Sequence, residues 1–392
     1  MEIGVRKGAV DIGNSKVKAD FAEGGNTLEI PNVVADHSED REIIQGEAPL
    51  DSLHVKVVSG ALNNGKGGAG TYVVGNLAAV QHQNSELTYE DAKSLHDQPV
   101  IMLLTTLAFD ALNNASLFKE TTDGVIEANY FLSTGLPMKE AKKKGTKKAF
   151  KEKLKGNSHE VTFLTTSGYE NKKVRIKLYD VIVNTEGHAA MIELTTKKDG
   201  SPRNEDLINK MVLLHDIGGL STDDAIIKPD GTVDNINSDG EKEGLSSYLD
   251  EIIQRVDDEF GVRKYFKSRE ELIENLTHKN PDEKMHVWIN SNRKPYKHIV
   301  DEVLGRAAKE QYDIIKRMWA KVPRIQVACL IGGGSSLLKE YITKLNENDR
   351  KYIMRFEESP EDSIWMIVRA YHKLLTFYLT QNGIVLAAAS KE

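Results

Sequence analysis

The sequence predicts an α/β protein built of two related halves, and three stretches carry that expectation. The first is Gly8-Ala9-Val10-Asp11-Ile12-Gly13-Asn14-Ser15-Lys16-Val17-Lys18-Ala19-Asp20: a short apolar strand, a Gly/Asn/Ser turn, and an alternating strand that leaves it. The second, about 200 residues later, repeats the logic. Met211 to Leu214 is apolar, Asp216-Ile217-Gly218-Gly219-Leu220-Ser221-Thr222-Asp223 makes the turn, and Ala225-Ile226-Ile227 resumes a strand. The third is the apolar run Ile325–Ile331, which delivers Gly332-Gly333-Gly334-Ser335-Ser336 to the start of a helix. Two Asp-x-Gly turns at that separation suggest two half-molecules facing one ligand.

Each turn has a chemistry. Glycines let backbone N–H groups converge with no Cβ in the way, and such nests bind anions, phosphates above all. An aspartate beside a phosphate repels it directly but is useful when a hydrated Mg²⁺ lies between them. Asn14 and Ser15 can donate from side chain and backbone, and Lys18 points to the same face as Lys16 in a regular strand, so at least one cation could reach a phosphate; a solvated strand face is the alternative for either lysine. Lys16 reads as a solvated strand residue. The triple glycine adds close approach and the positive end of a helix dipole. Taken alone, the 216–223 turn is an ordinary hairpin with a Gly-Gly turn.

Bulk composition narrows the class. A chain of 392 residues should hold two or more domains. With 52 basic and 59 acidic residues, its net charge of −7 argues against a dedicated nucleic-acid binder. The single cysteine, Cys329, excludes an internal disulfide and points to a reducing compartment. No run reaches the ~18 apolar residues of a membrane span, and Met1 to Lys7 is no signal peptide. The expectation is a soluble, cytoplasmic protein.

In chain order, Glu23 to Asp97 reads as an insertion in the first half, with the glycine-rich Gly60–Gly70 stretch as exposed loop. Gly65-Lys66-Gly67 is not followed by Ser or Thr and is no Walker A loop. Gln98–Ala115 is apolar at helical spacing and predicts a core helix. Asn129–Pro137 is a strand, Ser133-Thr134 included, that ends in a Gly135-Leu136-Pro137 break. The lysine-rich segment Lys139–Lys155 reads as a solvated helix face, with contact to DNA, an anionic membrane or an acidic subunit as the functional alternative. Lys173–Val183 is a strand, and Glu186 follows at a strand-to-helix junction, where a carboxylate can orient a water; an ordinary N-terminal helix acid is the alternative. Lys197–Glu205 reads as the linker between halves. Helices are expected over Gly244–Phe260, Arg269–Lys279, Lys297–Lys321 and Asp362–Leu379.

With its three turns in this order, the chain resembles the actin/heat-shock chaperone/sugar kinase superfamily of ATPases. Asp11-Ile12-Gly13-Asn14-Ser15 looks like the first phosphate loop, Asp216 to Asp223 like the second, and Ile331-Gly332-Gly333-Gly334-Ser335 like the adenosine loop. Ser133 to Pro137 and the segment up to Glu186-Gly187-His188 look most like plasmid-segregation actins of the ParM type. The resemblance implies an actin-like fold, with two RNase H-like α/β domains flanking a nucleotide cleft. The domains would be 1–196, inserted at about 23–97, and 197–392, inserted at about 230–300, with helix 362–379 packing back on the first.

It also implies ATP or ADP with Mg²⁺ as ligands. Asp11 and Asp216 would hold the metal through water. Gly13, Asn14 and Ser15, with Gly218, Gly219, Leu220 and Ser221, would clamp the phosphates, and Lys18 would reach them. Gly332, Gly333, Gly334 and Ser335 would pack on the adenosine, and Glu186 would position the attacking water. The function implied is a polymerising ATPase that moves plasmids through a DNA-binding adaptor, with itself as first partner, no direct DNA binding and no membrane. A metabolic kinase or regulatory ATPase on the same fold is the alternative; a kinase would need a base and a small-molecule pocket, and no sugar-binding signature supplies them.

Overall fold

Two five-strand patterns of one design organise the chain. The computed structural model describes residues 4–22, 26–37, 46–80, 85–86, 92–241, 244–349, 352–356 and 360–386. It contains two compact units, Met1–Glu205 with Trp365–Glu392, and Asp206–Ile364. In the first unit the strands are β1 (Val5–Ile12), β2 (Lys16–Asp20), β3 (Thr27–Pro31), β4 (Val33–Asp36), β5 (His54–Ser59), β6 (Gly68–Val74), β7 (Ser85–Glu86), β8 (Lys119–Glu120), β9 (Val125–Leu136), β10 (His159–Phe163) and β11 (Lys173–Thr185). Its helices are α1 (Leu62–Gly65), α2 (Asn76–Ala79), α3 (Gln98–Asn113), α4 (Met138–Ala141), α5 (Thr146–Lys155) and α6 (Glu186–Thr195). The second unit holds β12 (Val212–Ile217), β13 (Thr222–Ile227), β14 (Asp239–Glu241), α7 (Ser246–Phe260), α8 (Arg269–Leu276), β15 (His286–Ile289), β16 (Asn292–Pro295), α9 (Lys297–Lys321), β17 (Val327–Ile331), α10 (Gly333–Asp349) and β18 (Met354–Phe356). The last helix, α11 (Pro360–Gln381), runs into the first unit.

In the first unit an 11-stranded sheet runs β3-β2-β1-β9-β11-β10-β5-β6-β4-β7, with β8 on β9. β3, β2 and β1 pair antiparallel, whereas β1, β9 and β11 pair parallel. The second unit's sheet, β14-β13-β12-β17-β18, has the same senses in the same places. The repeat inferred from the two turns is therefore a repeat of topology. Parallel neighbours need a crossover, and the long helices α3 and α9 lie in those connections.

Alternation along β1 divides its side chains between two faces. Val10 and Ile12, with Val17 and Ala19 of β2, enter the core with Leu103, Leu104 and Leu107 of α3. Ala9 packs on the other face with Ala189 of α6 and Val368, Ala370 and Tyr371 of α11. Asp11 shares the parity of Ala9, so it lies on the face that α6 and α11 cover. Gly135 is small because a Cβ there would sit 1.8 Å from the Tyr371 hydroxyl oxygen.

Within the expected insertion at 23–97, β3 belongs to the five-strand core pattern, and β4 to β7 extend the sheet beyond it. Gly60–Gly70, expected as loop, holds a tight turn with Asn63 (φ 52°), Asn64 (φ 55°) and Gly65 (φ 84°) left-handed, after which Gly68–Val74 pairs antiparallel with β5. Glycines hide the strand pattern because they have no side chain to alternate. The remainder of the proposed second insertion, 230–300, contains β14, α7, α8 and the β15–β16 hairpin.

The lysine-rich segment is only partly a solvated face. Lys151 and Lys155 of α5 reach Asp180 of β11 at 2.8 and 3.0 Å, and Tyr378 of α11 donates to the same carboxylate at 2.5 Å. Lys153 donates to Ser94 O at 3.2 Å. Burial pushes the Asp180 carboxyl up, but hydrogen bonds from Lys151, Tyr378 and Lys155 outweigh it and leave it well below the usual carboxylate range. A depressed carboxylate stabilises the fold above about pH 4, and that contribution fades as pH falls through its folded-state value. Asp180→Asn should therefore cost about 1–3 kcal/mol at neutral pH. In urea unfolding at pH 7 and pH 3, the gap to wild type should narrow at the lower pH; a constant gap would show that the charge is not responsible.

Candidate functional site

The first half-site is the turn between β1 and β2. A Cβ at Gly13 would lie 2.6 Å from Lys16 O, so the turn closes only around glycine. Asn32 holds it from behind, its backbone N–H donating to Ser15 O at 2.8 Å and its side-chain amide to Gly13 O at 2.7 Å. Gln98, at the start of α3, fixes Asn32 in turn, donating to its backbone and side-chain oxygens at 2.9 and 3.1 Å. The carbonyls of Gly13 and Ser15 are thus occupied by protein donors, while Ser15 itself is exposed and Asn14 half-buried.

Asp11, next to last in β1, has 8% of its surface exposed. Its carboxylate has no hydrogen-bond or ion-pair partner among the described residues. A buried carboxylate left alone is costly, so this one suits an external cation or its water shell. Lys18 is the cross-strand partner of Asp11, and Glu29 is the partner of Lys18. Lys16 is neutralised by Glu29 at 2.6 Å, whereas Lys18 has no ion pair among the described residues. Of the two lysines, Lys18 is the one left to meet an anion.

The second half-site lies in the other unit. Gly218 N–H donates to Ser221 O at 2.9 Å across the β12–β13 turn. The start of α7 takes the turn's carbonyls, with Leu245 N–H on Gly218 O at 3.1 Å and Ser246 N–H on Gly219 O at 2.7 Å. Leu220 and Ser221 are half-buried beside them. The β17–α10 turn is seated on the end of β12: a Cβ at Gly332 (φ +81°) would lie 2.2 Å from Asp216 Oδ1. One at Gly334 would lie 2.6 Å from Ile217 Cγ2. Gly333 is exposed with nothing within 4 Å of its Cβ position. Ser335 is buried, and its hydroxyl donates to Gly332 O at 2.8 Å, as does that of Ser363 at 2.9 Å. Ser335 thereby shapes the turn. Asp216, Gly218 to Ser221 and Gly332 to Ser335 form one neighbourhood.

Sequence reasoning missed the support beneath these turns. His215 and Asp224, cross-strand partners in β12 and β13, form a buried pair at 2.8 Å next to Asp216. Glu186, the first residue of α6, is 15% exposed and pairs with Lys93, 7% exposed, at 3.1 Å. The other end of α6 is tied down by Glu193, which meets Lys373 at 2.7 Å, Arg369 at 3.2 Å and Arg203 at 3.7 Å. Between them, burial and the nearby Lys147 cation push the His188 imidazole down from its ordinary value. No turn motif marks Lys93; its partner is distant in sequence.

Gly332 is the point where an added methyl is least tolerated. Gly332→Ala combines a left-handed backbone with a clash on Asp216, and should cost about 1–3 kcal/mol. Thermal unfolding should show the loss. An alanine variant of wild-type stability would mean that the turn has another conformation open to it.

Comparison with known proteins bears on what this geometry is for. The sequence matches the model of the N-terminal domain of actin-like proteins over residues 9–187. It matches that of the Alp7A C-terminal domain over residues 211–358. The search of curated proteins found no match. Among solved structures, Bacillus thuringiensis ParM with ATP is similar over 96% of this chain and 100% of its own, with 23% identity and a TM-score of 0.75. Actin-like protein Alp7A is similar over 96% and 97%, with 18% identity and a TM-score of 0.76. Ta0583, an archaeal actin homolog, is similar over 95% and 100%, with 16% identity and a TM-score of 0.65. With one such family model on each half, the protein belongs to the actin-like proteins, and it shares its fold with ParM and Alp7A.

Proposed function

We propose that the chain is an ATPase whose nucleotide state governs its assembly into filaments, and that these filaments segregate plasmid DNA through a DNA-binding adaptor. The observation that carries the reading is Asp11: a buried carboxylate with no partner among the described residues, beside a glycine turn and across from the available cation Lys18. The solved ParM relative has been captured with ATP, which supports a nucleotide as the ligand. We take the two halves as the two actin-like domains.

In this reading Asp11 and Asp216 would hold a hydrated Mg²⁺, and the N–H groups of Gly13, Asn14 and Ser15, with those of Gly218, Gly219, Leu220 and Ser221, would meet the phosphates. Lys18 neutralises them further. Gly332, Gly333 and Gly334 offer a flat backbone to the adenosine, with Ser335 holding their turn. Bound Mg²⁺–ATP supplies the phosphoanhydride bond and the charge neutralisation that phosphoryl transfer requires. Glu186 orients a water and accepts its proton; positioning of this sort is most of what such a reaction asks of a protein.

Head-to-tail contacts that do not close give filaments, and a nucleotide-sensitive contact makes them dynamic. With a net charge of −7, direct binding to DNA is disfavoured, so the cargo is reached through a basic adaptor. Among the described residues no helix is long and apolar enough to cross a membrane. Pelleting and right-angle light scattering test the proposal. Mg²⁺–ATP should give polymer above a threshold protein concentration that later decays, and ADP should give little. Glu186→Ala should slow hydrolysis at least ~100-fold and leave its polymer standing. Intact nucleotide binding with no polymer at any concentration would overturn the filament reading.

A further inference from the structure

Glu140, in α4, is only 5% exposed, and the mechanism above has no use for it. Its carboxylate gathers one short stretch of chain. Lys93 N–H donates to Oε1 at 2.8 Å, and Ser94 donates to Oε2 through its N–H at 3.1 Å and its hydroxyl at 2.7 Å. From α5, Lys153 holds the carbonyl of the same Ser94 at 3.2 Å. The backbone at 93–94 is therefore fixed on both its donor and acceptor sides by α4 and α5. From that anchor the Lys93 side chain runs, almost fully buried, to the Glu186 carboxylate at 3.1 Å.

A lysine on a free loop would lose much side-chain entropy in making such a contact. A lysine whose backbone is already fixed loses less and returns the same ammonium to the same place. Hydrogen bonds to an ionised acceptor are the strong ones, so three on a buried carboxylate make a firm anchor. We propose that Glu140 is a positioning residue for Glu186, acting through Lys93: it fixes the base of the ammonium that holds the water-orienting carboxylate in place. The inference rests on the reading of Glu186 as the group that positions the attacking water. Glu140 has no need to touch nucleotide or water, and its effect should fall on turnover more than on binding.

Steady-state ATPase measurements on the full chain test this, with wild type, Glu140→Ala, Ser94→Ala, Lys93→Met, Lys93→Arg, Glu186→Ala and the double variant Glu140→Ala/Glu186→Ala. Glu140→Ala should lower kcat about tenfold while KM for ATP stays within about twofold. Lys93→Met should do the same or worse, and Lys93→Arg should recover most of the loss. In the Glu186→Ala background, Glu140→Ala should cost less than about twofold more, because the two act through one group. An equal, multiplicative loss in that background would overturn the relay and leave Glu140 merely structural. Should Glu140→Ala fail to fold, Ser94→Ala, which removes one of the three bonds, should still lower kcat about two- to threefold at constant KM; an unchanged kcat would overturn the proposal. A slow Glu186→Ala beside a Glu140→Ala of wild-type rate would sink the relay alone. A Glu186→Ala of wild-type rate would sink the reading of Glu186 beneath it.

Discussion

A backbone turn with no room for a Cβ, placed at the end of a buried strand, is the constraint on which the rest of this protein depends. At Gly13 the opposing obstacle is Lys16 O; at Gly332 it is Asp216 Oδ1. Both turns have their carbonyls or their glycines held from the protein side, by Asn32 and Gln98 in one unit and by Ile217, Ser335 and Ser363 in the other. Such turns are stiff, and a stiff turn can present its N–H groups to an anion with no reorganisation. The aspartates gain their chemical meaning from that setting. Asp11 is buried beside one such turn, with no partner among the described residues.

The repeated topology explains how one chain makes two such places. In each half a central strand is flanked by an antiparallel partner on one side and a parallel partner on the other. The aspartate is then paired across the hairpin with the residue seven positions on, Lys18 for Asp11 and Asp223 for Asp216. The halves are thus alike in architecture and unlike in charge at that one register position. The parallel side serves a different end, because it leads into the crossover helices and, in the first unit, into α6, which begins with Glu186.

Much of this was legible in the sequence because it is local. Apolar runs ending in Asp-x-Gly mark strand ends, and Gly332-Gly333-Gly334 after an apolar strand marks a strand–helix turn. Lys16 and Lys18 share one strand face, so the ion pair that sets Lys16 apart, with Glu29 on the next strand, could not be read from parity. What was hidden is long-range or has no side-chain pattern. The glycines of 65–70 concealed a strand, and the acidic partner of Lys151 and Lys155 lies on β11, outside their own helix. The pairs Lys93–Glu186 and Glu140–Ser94 join residues far apart in the chain, which no motif announces. His215–Asp224 is the exception that could have been found: once Asp216 faces Asp223 across a tight hairpin, antiparallel register sets the next pair.

The central claim is that the two glycine turns and their aspartates serve one Mg²⁺-bound nucleotide. Isothermal titration of ATP into wild type, Asp11→Asn, Asp216→Asn and the double variant, each with Mg²⁺ and with chelator, tests it most directly. The account predicts one nucleotide per chain and a Mg²⁺-dependent affinity that falls about tenfold or more with either substitution. On the proposal that both carboxylates would act on one ion, the double variant should lose less than the sum of the two. Binding whose affinity and Mg²⁺ dependence survive either substitution would contradict it.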